Sequence, residues 1–363
     1  MASRKKANEE EMRQKIKVLI VDDSAFMRKS LSIMLTSDPS IEICGIAKNG
    51  QEGYDLAKEL RPDIITLDVE MPVMDGLTAL NLIMKDAPTS VIMVSSITTE
   101  GAESTIKAFE YGAVDFISKE QSFVSVNITK IKDDLIHKIK SIAYHKRNIN
   151  LATKHSITSQ TEIPTNVSKG TLPKIGYKAI AIGVSTGGPI SLQKVIPLLS
   201  ENLNVPVFIV QHMPPKFTKS LAERLNSMSK LTVKEAEHGD LVTKNNVYIA
   251  PGGKHINFVS IGGNVKIILT DQPDNSLHRP SVDVMLHSAI SIYGKYLLGV
   301  IMTGMGKDGL LGIEELNKLG GKCLAQNEHS CVVYGMPKAV VDAGYADSVV
   351  PLGQIAYKIN TVF

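Results

Sequence analysis

The stretch at residues 178–189, KAIAIGVSTGGP, constrains the fold of this chain more than any other. Its apolar run at 179–182 is typical of a buried strand, and the glycines that follow permit tight or left-handed backbone. Pro189 suits the first turn of a helix, where a backbone N–H has no intrahelical partner. The stretch therefore predicts a strand, a sharp turn and a helix, with Ser185 on the turn.

Two chemical roles are open to Ser185 on such a turn. Backbone amides at a helix start can stabilise a developing oxyanion, and the same geometry binds a phosphate group. The letters GVSTG satisfy the nucleophile-elbow pattern, whereas a glycine-rich phosphate loop is the alternative. Neither a G-x-G-x-x-G fingerprint nor a Walker lysine follows the strand, which argues against nucleotide binding.

A serine nucleophile needs a base and an acid that orients the base, and two later strands supply candidates. The run at 205–211 ends at His212, and the run at 297–302 is followed by Asp308. Because the carboxyl ends of parallel strands share one edge of a sheet, we expect these side chains to meet Ser185 there. The chain order Ser, His, Asp differs from that of ordinary α/β-hydrolases, which run Ser, acid, His.

Composition excludes several classes of protein. With 43% hydrophobic and 21% charged residues among 363, the chain is ordinary for a globular protein of two domains. The formal charge of +3 is too small to indicate nucleic-acid binding, and no apolar stretch reaches the ~18 residues of a membrane helix. The first residues lack the apolar segment of a secretory signal, and three cysteines without a Cys-x-x-Cys pair are typical of reduced thiols. We therefore expect a cytoplasmic protein without membrane insertion.

Acidic side chains end two apolar runs near the amino terminus. The run at 17–21 is followed by Asp22 and Asp23, and the run at 64–67 is followed by Asp68. Any one of these acids alone is more often a loop or helix-cap residue. Three carboxylates at neighbouring strand ends, however, could hold a hard cation such as Mg²⁺ through their oxygens.

Two further strands of this region end in Ser95 and Lys119, whose hydroxyl and ammonium both suit a phosphoryl oxygen. Together with the acids, they closely resemble the response-regulator receiver domain. The resemblance implies that Asp68 accepts a phosphoryl group and that Ser95 and Lys119 contact it. Most receivers have proline after this lysine, whereas Glu120 stands here, so the usual cis X-Pro turn cannot form.

The receiver resemblance also implies a metal site for phosphorylation. In that family the residues matching Asp22, Asp23 and Asp68 hold Mg²⁺, and the ion takes the backbone carbonyl of the residue matching Glu70. No cofactor is implied for the chemistry at Ser185.

Five phrases in the second half of the chain closely resemble the chemotaxis protein-glutamate methylesterase family. They are IGVSTGGP at 182–189, VQHMP at 210–214, HRPSVD at 278–283, MTGMGKDG at 302–309 and AQNEHSCVVYGMP at 325–337. The resemblance implies that Ser185 is the nucleophile, His212 the general base and Asp308 its orienting acid. Val184 stands where the family commonly has alanine.

The same resemblance places the oxyanion donors at backbone amides near Ser185 and Met305, with Thr186 and Met305 as the near-site residues. Other histidines in this half are candidate bases in principle, but most histidines are structural, and we assign the base to the one in the matching phrase. The others are His238, His255, His278, His287 and His329. Arg279 and Asp283 could line the substrate cleft or form an internal ion pair.

The fold expected is α/β, with two doubly wound parallel-sheet domains joined by a flexible linker. We expect a disordered extension at 1–15, a flavodoxin-like receiver at 16–138, a helix end and linker at 139–172, and a Rossmann-like methylesterase domain at 173–363. The linker assignment rests on residues 150–173, which are polar and lack a periodic apolar face. Within the second domain, the runs at 246–253 and 265–270 predict a hairpin-like insertion.

The resemblance covers nearly the whole chain after residue 16 and implies a phosphorylation-activated hydrolase. The expected substrates are glutamate methyl esters, and commonly glutamines, of methyl-accepting chemotaxis receptors, with a chemotaxis histidine kinase as phosphodonor. A receiver that drives a DNA-binding output is the competing class, but no helix-turn-helix is apparent after the linker.

Overall fold

The computed structural model describes residues 14–96, 98–119, 128–157 and 172–363. The chain divides into two compact units, Met1–Ile163 and Pro164–Phe363, which are described separately. Residues 1–13 of the expected extension, Glu120, and residues 158–171 of the expected linker lie outside the described residues.

Strands and helices alternate in the described part of the first unit. The strands are β1 (Ile16–Val21), β2 (Ile41–Ala47), β3 (Ile64–Asp68), β4 (Ser90–Ser95) and β5 (Asp115–Ser118). The helices are α1 (Ala25–Thr36), α2 (Gly50–Leu60), α3 (Gly76–Asp86), α4 (Thr99–Glu110) and α5 (Ile128–Ile157). The strands form a parallel sheet in the order β2-β1-β3-β4-β5, which is the flavodoxin-like order and confirms that prediction.

The sheet of the first unit gathers its chemistry at one edge because its strands are parallel. Every residue of β3 is buried, as expected for a central strand covered on both faces. Asp68 ends β3, Asp22 follows β1 directly, and Ser95 ends the neighbouring β4. The carboxyl edge of the sheet therefore carries the predicted acidic residues side by side.

The second unit is built on a larger sheet with a separate hairpin. Its strands are β6 (Ala179–Val184), β7 (Val207–Gln211), β8 (Thr232–Glu235), β9 (Asn246–Ile249), β10 (His255–Ile261), β11 (Asn264–Thr270), β12 (Leu297–Ile301), β13 (Lys322–Gln326) and β14 (Ser348–Val350). Its helices are α6 (Gly188–Val195), α7 (Phe217–Met228), α8 (Val282–Tyr293), α9 (Leu310–Lys318), α10 (Met336–Asp342) and α11 (Leu352–Asn360).

The order of the larger sheet positions the site. Seven parallel strands run β14-β13-β12-β6-β7-β9-β8. The chain leaves β6 toward β7 and later returns to place β12 on the other side of β6, so the winding reverses at β6. Ligands of doubly wound sheets bind at such a switch point, outside the carboxyl ends of the strands. Ser185 follows β6 directly, which places it at this point.

The second unit contains a hairpin, but its two strands are not both the segments predicted from the sequence. The run that begins at Asn246 is a strand of the main sheet, held between β7 and β8. The partner of β11 is β10, and the turn between them is Gly262–Gly263, where φ is 58° and 81°. Burial of Phe258 against Phe208, with ring centroids 4.2 Å apart, attaches the hairpin to the sheet. The two-residue Gly-Gly turn was the signal in the sequence for this pairing.

The last helix of the first unit is longer than expected. It continues through Ile157, whereas the sequence analysis starts the linker at residue 150. A helix satisfies its backbone hydrogen bonds internally and so can continue without an apolar face. Lys140 of this helix pairs with Asp38 at 2.9 Å, and Arg147 pairs with Asp63 at 2.9 Å, which ties this part of the helix to the sheet of the first unit.

Within the described ranges, the structure contains no helix with the length and apolar character needed to span a membrane.

Candidate active site and receiver pocket

Ser185 lies directly after β6, on the turn that leads into α6. Gly187 has a φ of 74°, and a Cβ there would lie 2.5 Å from the Val332 side chain. A Cβ on Gly188 would lie 1.9 Å from Oε1 of Gln211. Both positions therefore require glycine, for backbone conformation at the first and for close packing at both. The predicted strand, turn and helix are all present.

The structure brings the three predicted residues of the triad together. Nδ1 of His212 lies 3.1 Å from Oγ of Ser185, and Nε2 lies 2.8 Å from Oδ2 of Asp308. With the proton of neutral His212 on Nε2, Nδ1 can accept the serine hydroxyl. The His212 side chain is 8% exposed, so water competes little for its hydrogen-bonding groups. This arrangement is suited to acyl transfer.

Asp308 is held by the amino terminus of α8. Its carboxylate accepts hydrogen bonds from the backbone N–H groups of Val282 and Asp283 at 2.7 and 2.9 Å, and from the Ser281 hydroxyl at 3.0 Å. Burial by itself raises the pKa of Asp308, but the contact with His212 and these amides outweigh it and hold the pKa well below its ordinary value. The acid is therefore fixed as a carboxylate facing His212.

The predicted oxyanion residues belong to the two segments next to the nucleophile. Thr186 follows Ser185, and Met305 follows Gly304, where a Cβ would lie only 2.8 Å from Cβ of Ser185. The amide of Ser185 donates to the carbonyl of Thr303 at 3.0 Å. Neighbouring amides, rather than that of Ser185, are thus the candidates for an oxyanion hole, and the role of Thr186 and Met305 stays a prediction.

The first unit carries a second cluster, at the carboxyl edge of its own sheet. Carboxylate oxygens of Asp22, Asp23 and Asp68 lie within 4.8 Å of one another. Nζ of Lys119 lies 2.6 Å from Oδ2 of Asp68 and 3.4 Å from Oδ2 of Asp22. Burial raises the pKa of Asp68 to about 6 and also raises the pKa of Asp22. Buried acids of this kind favour a bound cation, because it replaces the water they have lost.

This cluster fits the predicted magnesium site. Oxygen ligands converging from three carboxylates are the donor set that Mg²⁺ prefers. The amide of Glu70 reaches back to Oδ1 of Asp68 at 3.4 Å, so the loop that carries the Glu70 carbonyl lies beside the cluster. Ser95 is buried, and its Oγ donates to the carbonyl of Gly101 at 3.1 Å.

Comparison with known proteins gives the family. Residues 180–359 match the family described as CheB methylesterase, and residues 18–127 match the response regulator receiver domain. The protein-glutamate methylesterase/protein-glutamine glutaminase of Pyrococcus abyssi is 47% identical, over 94% of this chain and 92% of that protein. The chain belongs to the CheB methylesterase family.

Other relatives give the same result. The protein-glutamate methylesterase/protein-glutamine glutaminase of Thermotoga maritima is 46% identical, over 95% of this chain and 96% of that protein. The crystal structure of the Thermotoga maritima CheB methylesterase catalytic domain is 46% identical, with a TM-score of 0.51, and the match covers 52% of this chain and 100% of that one. The methylesterase family thus accounts for the second unit as well as for the order of the two units.

Buried polar residues that the sequence motifs did not single out hold the turn at Ser185 in this methylesterase. Thr303 is fully buried, and its Oγ1 donates to the carbonyl of Thr186 at 2.9 Å and accepts from the amide of Val333 at 3.1 Å. Nε2 of Gln211 donates to the carbonyl of Ser185 at 3.1 Å. A polar residue that ends a buried strand, as Gln211 ends β7, was the available signal.

The remaining candidates from the sequence have other partners. His287 pairs with Glu315 at 2.8 Å, and the amide of Leu269 donates to Nδ1 of His238. Arg279 pairs with Asp274 at 2.6 Å rather than with Asp283, so the internal pair considered from the sequence is wrong.

Asp283 belongs instead to the surroundings of the triad. Its Oδ1 accepts from the amide of Gly312 at 2.8 Å, and its own amide donates to Asp308. Burial, strengthened by the neighbouring Asp308 carboxylate, raises the pKa of Asp283 to about 6.

Proposed function

We propose that this chain is a phosphorylation-activated esterase that removes methyl groups from glutamate methyl esters of chemotaxis receptors and deamidates receptor glutamines. The observation that carries the proposal is the hydrogen-bonded line from Ser185 through His212 to Asp308 at the switch point of the sheet. The names of its relatives, protein-glutamate methylesterase/protein-glutamine glutaminase, supply the substrate class.

The geometry assigns each residue of this hydrogen-bonded triad a role in ester hydrolysis. Oγ of Ser185 attacks the ester carbonyl as Nδ1 of His212 takes its proton, and Asp308 stabilises the imidazolium formed. The imidazolium then protonates the leaving methoxide, so methanol departs and an acyl-serine remains. Water, deprotonated by His212, attacks the acyl-serine and regenerates the Ser185 hydroxyl with release of the glutamate carboxylate.

Glutamine deamidation uses the same groups in the same order. The carboxamide carbon takes the place of the ester carbonyl, and ammonia leaves in place of methanol. His212 must protonate the nitrogen before it departs, because an amide ion is a far poorer leaving group than methoxide. Amides at Thr186 and Met305 would hold the oxyanion in both reactions.

The receiver pocket controls the esterase in this proposal. Asp68 accepts a phosphoryl group from a chemotaxis histidine kinase, and Ser95 and Lys119 contact that group. Asp22, Asp23 and Asp68, with the carbonyl of Glu70, would hold Mg²⁺. When bound, the ion offsets the negative charges of phosphodonor and acids. Phosphorylation shifts the population from a state in which the receiver blocks the triad to one in which it does not.

The domain limits follow from the same assignment. Residues 16–138 act as the receiver and 173–363 as the esterase, with the intervening segment connecting them. The substrates are cytoplasmic parts of receptors, so the protein acts in the cytoplasm, in contact with receptors and kinase and without nucleic acid.

The test is methanol release from methylated receptor by three proteins: the full chain, its Asp68→Asn variant and the fragment 173–363. Coupling free energies of ~1 to 3 kcal/mol predict that the fragment exceeds the unphosphorylated full chain roughly 5- to 150-fold. A small phosphodonor with Mg²⁺ should accelerate the parent but not Asp68→Asn. If the fragment is no faster and the donor has no effect, the receiver does not gate this triad.

Ser185→Ala serves as the catalytic control in the same assay. It should lower methanol release by roughly 10³-fold or more, because the nucleophile is lost while folding is retained. Activity within about tenfold of the parent would remove Ser185 from the mechanism.

A further inference from the structure

His278 occupies a place beside the triad that the mechanism above does not use. The rings of His212 and His278 are stacked, with centroids 4.0 Å apart and planes inclined by 19°. His278 lies on the loop between β11 and α8 and is partly exposed. One face of the proposed base is therefore covered by a second imidazole.

The stacked ring opposes rotation of His212 about its bond to Cβ, in addition to the triad hydrogen bonds. Both nitrogens of His212 are engaged at its edge, Nδ1 toward Ser185 and Nε2 toward Asp308. Rotation of the ring about its bond to Cβ would move both nitrogens out of line. A parallel ring on one face opposes that rotation, because tilting His212 would bring its edge into His278.

The loop that carries His278 is anchored directly after this residue. The carbonyl of Arg279 accepts from the amide of Gly253 at 3.1 Å, and the guanidinium pairs with Asp274 at 2.6 Å. Two residues further, the amide of Ser281 donates to Nδ1 of the buried His255 at 3.3 Å. His278 is thus presented by a fixed backbone, close to the Ser281 that also binds Asp308.

We propose that His278 is a positioning residue for His212, and that its neutral ring stabilises the imidazolium formed when Ser185 loses its proton. The face of an aromatic ring attracts a cation stacked on it. A positive charge on His278 has the opposite effect, because two cations 4.0 Å apart repel each other strongly at a partly buried site. The inference rests on the proposed role of His212 as general base.

The segments that carry the pair and its partners hold further charged groups, including Asp283 at the start of α8, whose amide donates to Asp308. Asp308 and Lys307 follow β12, Lys216 follows His212 toward α7, and Lys254 and His255 lie at the start of β10. Asp271, Asp274 and Arg279 share the loop of His278, where Lys254 and Arg279 pair with Asp271 at 2.7 and 3.7 Å. Burial lowers the pKa of His255, so this neighbour favours the neutral form. Asp308, on the far edge of His212, is the anion that balances the imidazolium.

The experiment uses the full chain with His278→Ala, His278→Phe and His278→Lys, and follows kcat and KM from about pH 5 to about pH 9. His287→Lys is the matched control, since its side chain is 77% exposed and pairs with Glu315. Two substrates are used: methylated receptor and 4-nitrophenyl acetate, whose hydrolysis needs the triad but no receptor recognition. Circular dichroism melting verifies that each variant is folded.

His278→Ala should lower kcat roughly 2- to 30-fold with little change in KM, the range expected for loss of one cation–ring contact. His278→Phe should recover most of that loss, because it restores the stacked ring. The kcat of His278→Lys should be lower than that of His278→Ala. The acidic midpoint of its kcat/KM profile should lie at least about one pH unit below that of the parent, because a fixed cation disfavours protonated His212. His287→Lys should leave the midpoint in place.

Two results would overturn the inference: a midpoint in His278→Lys equal to the parent's, or equal kcat values for parent and His278→Ala. If His278→Ala fails to fold, the kcat values and pH midpoints of His278→Phe and His278→Lys are compared instead, since both side chains fill the space of the imidazole. A parent that hydrolyses 4-nitrophenyl acetate but releases no methanol from receptor defeats the proposed function and leaves this test intact. A parent inactive on both esters overturns both.

Discussion

Replacement of Asp308 by asparagine tests how much of the site depends on a single carboxylate. The carboxylate has four hydrogen-bond partners: His212 at 2.8 Å, Val282 N–H at 2.7 Å, Asp283 N–H at 2.9 Å and the Ser281 hydroxyl at 3.0 Å. Asparagine keeps the shape but offers one acceptor oxygen, and its NH₂ must face two of these donors.

The structure sets the magnitude of the loss. Whichever way the amide is turned, one backbone N–H, of Val282 or of Asp283, is left facing the NH₂, because His212 or the Ser281 hydroxyl on the same side can accept instead. A hydrogen bond to a charged group contributes ~1.5 to 3 kcal/mol, and the other hydrogen bonds lose the charge of the carboxylate. Part of this is recovered by local relaxation, so we expect the second unit to lose about 2 to 4 kcal/mol of unfolding free energy. Where the NH₂ takes the place of Oδ2, His212 can remain beside it only by moving its proton to Nδ1, which can then no longer accept from Ser185.

Two measurements on Asp308→Asn follow. Methanol release should drop by roughly 10³- to 10⁴-fold, the loss known for this change in another serine triad, while receptor binding changes little. Urea unfolding of the second unit should show the stability loss. Asp342→Asn, in which a 60% exposed acid paired with Lys338 is changed, is the control and should alter both quantities slightly.

The pH dependence of stability gives a further test of the role of Asp308. The pKa of Asp308 is lowered in the folded state, so its contribution to stability is present above the ordinary value of 3.8 and disappears as pH falls through the lower folded value. Asp308→Asn should lack this acid-dependent part. Activity within tenfold of the parent, or unchanged stability at neutral pH, would refute the reasoning.

Two other predictions follow from the two sites. The kcat losses of Ser185→Ala and His212→Ala should not multiply in the double variant, because the two groups act in one proton transfer; fully multiplicative losses would argue against the triad. Because burial raises the pKa of Asp68 to about 6, its charge opposes folding above that pH, and Asp68→Asn should stabilise the Mg²⁺-free first unit by up to about 3 kcal/mol at pH 8. The gain should shrink as pH falls from 6 toward 4, and a destabilised variant at pH 8 would contradict the stated cause.

Local patterns were sufficient for the regular parts of both units. Buried runs that end in Asp68, Ser185 and His212 were recognisable as strands because parallel strands covered on both faces are continuously apolar. The pairing of β10 with β11 was missed, although the two-residue Gly262–Gly263 turn between these strands is a local hairpin signal. The extent of α5 was also missed, since residues 150–157 show no periodic apolar pattern in the sequence.

The sequence by itself predicted which residues form the candidate triad and the acidic cluster, because motif letters and strand ends both point to the carboxyl edge of a parallel sheet, and the structure brings these residues together. Tertiary structure alone decided how those residues are held. The amides of α8 bind Asp308 from 26 and 25 residues away, and Gln211 reaches the carbonyl of Ser185 across 26 residues. The stack of His278 on His212 likewise joins separate segments. Such contacts depend on how distant segments pack, and hydrophobic periodicity carries no information about that.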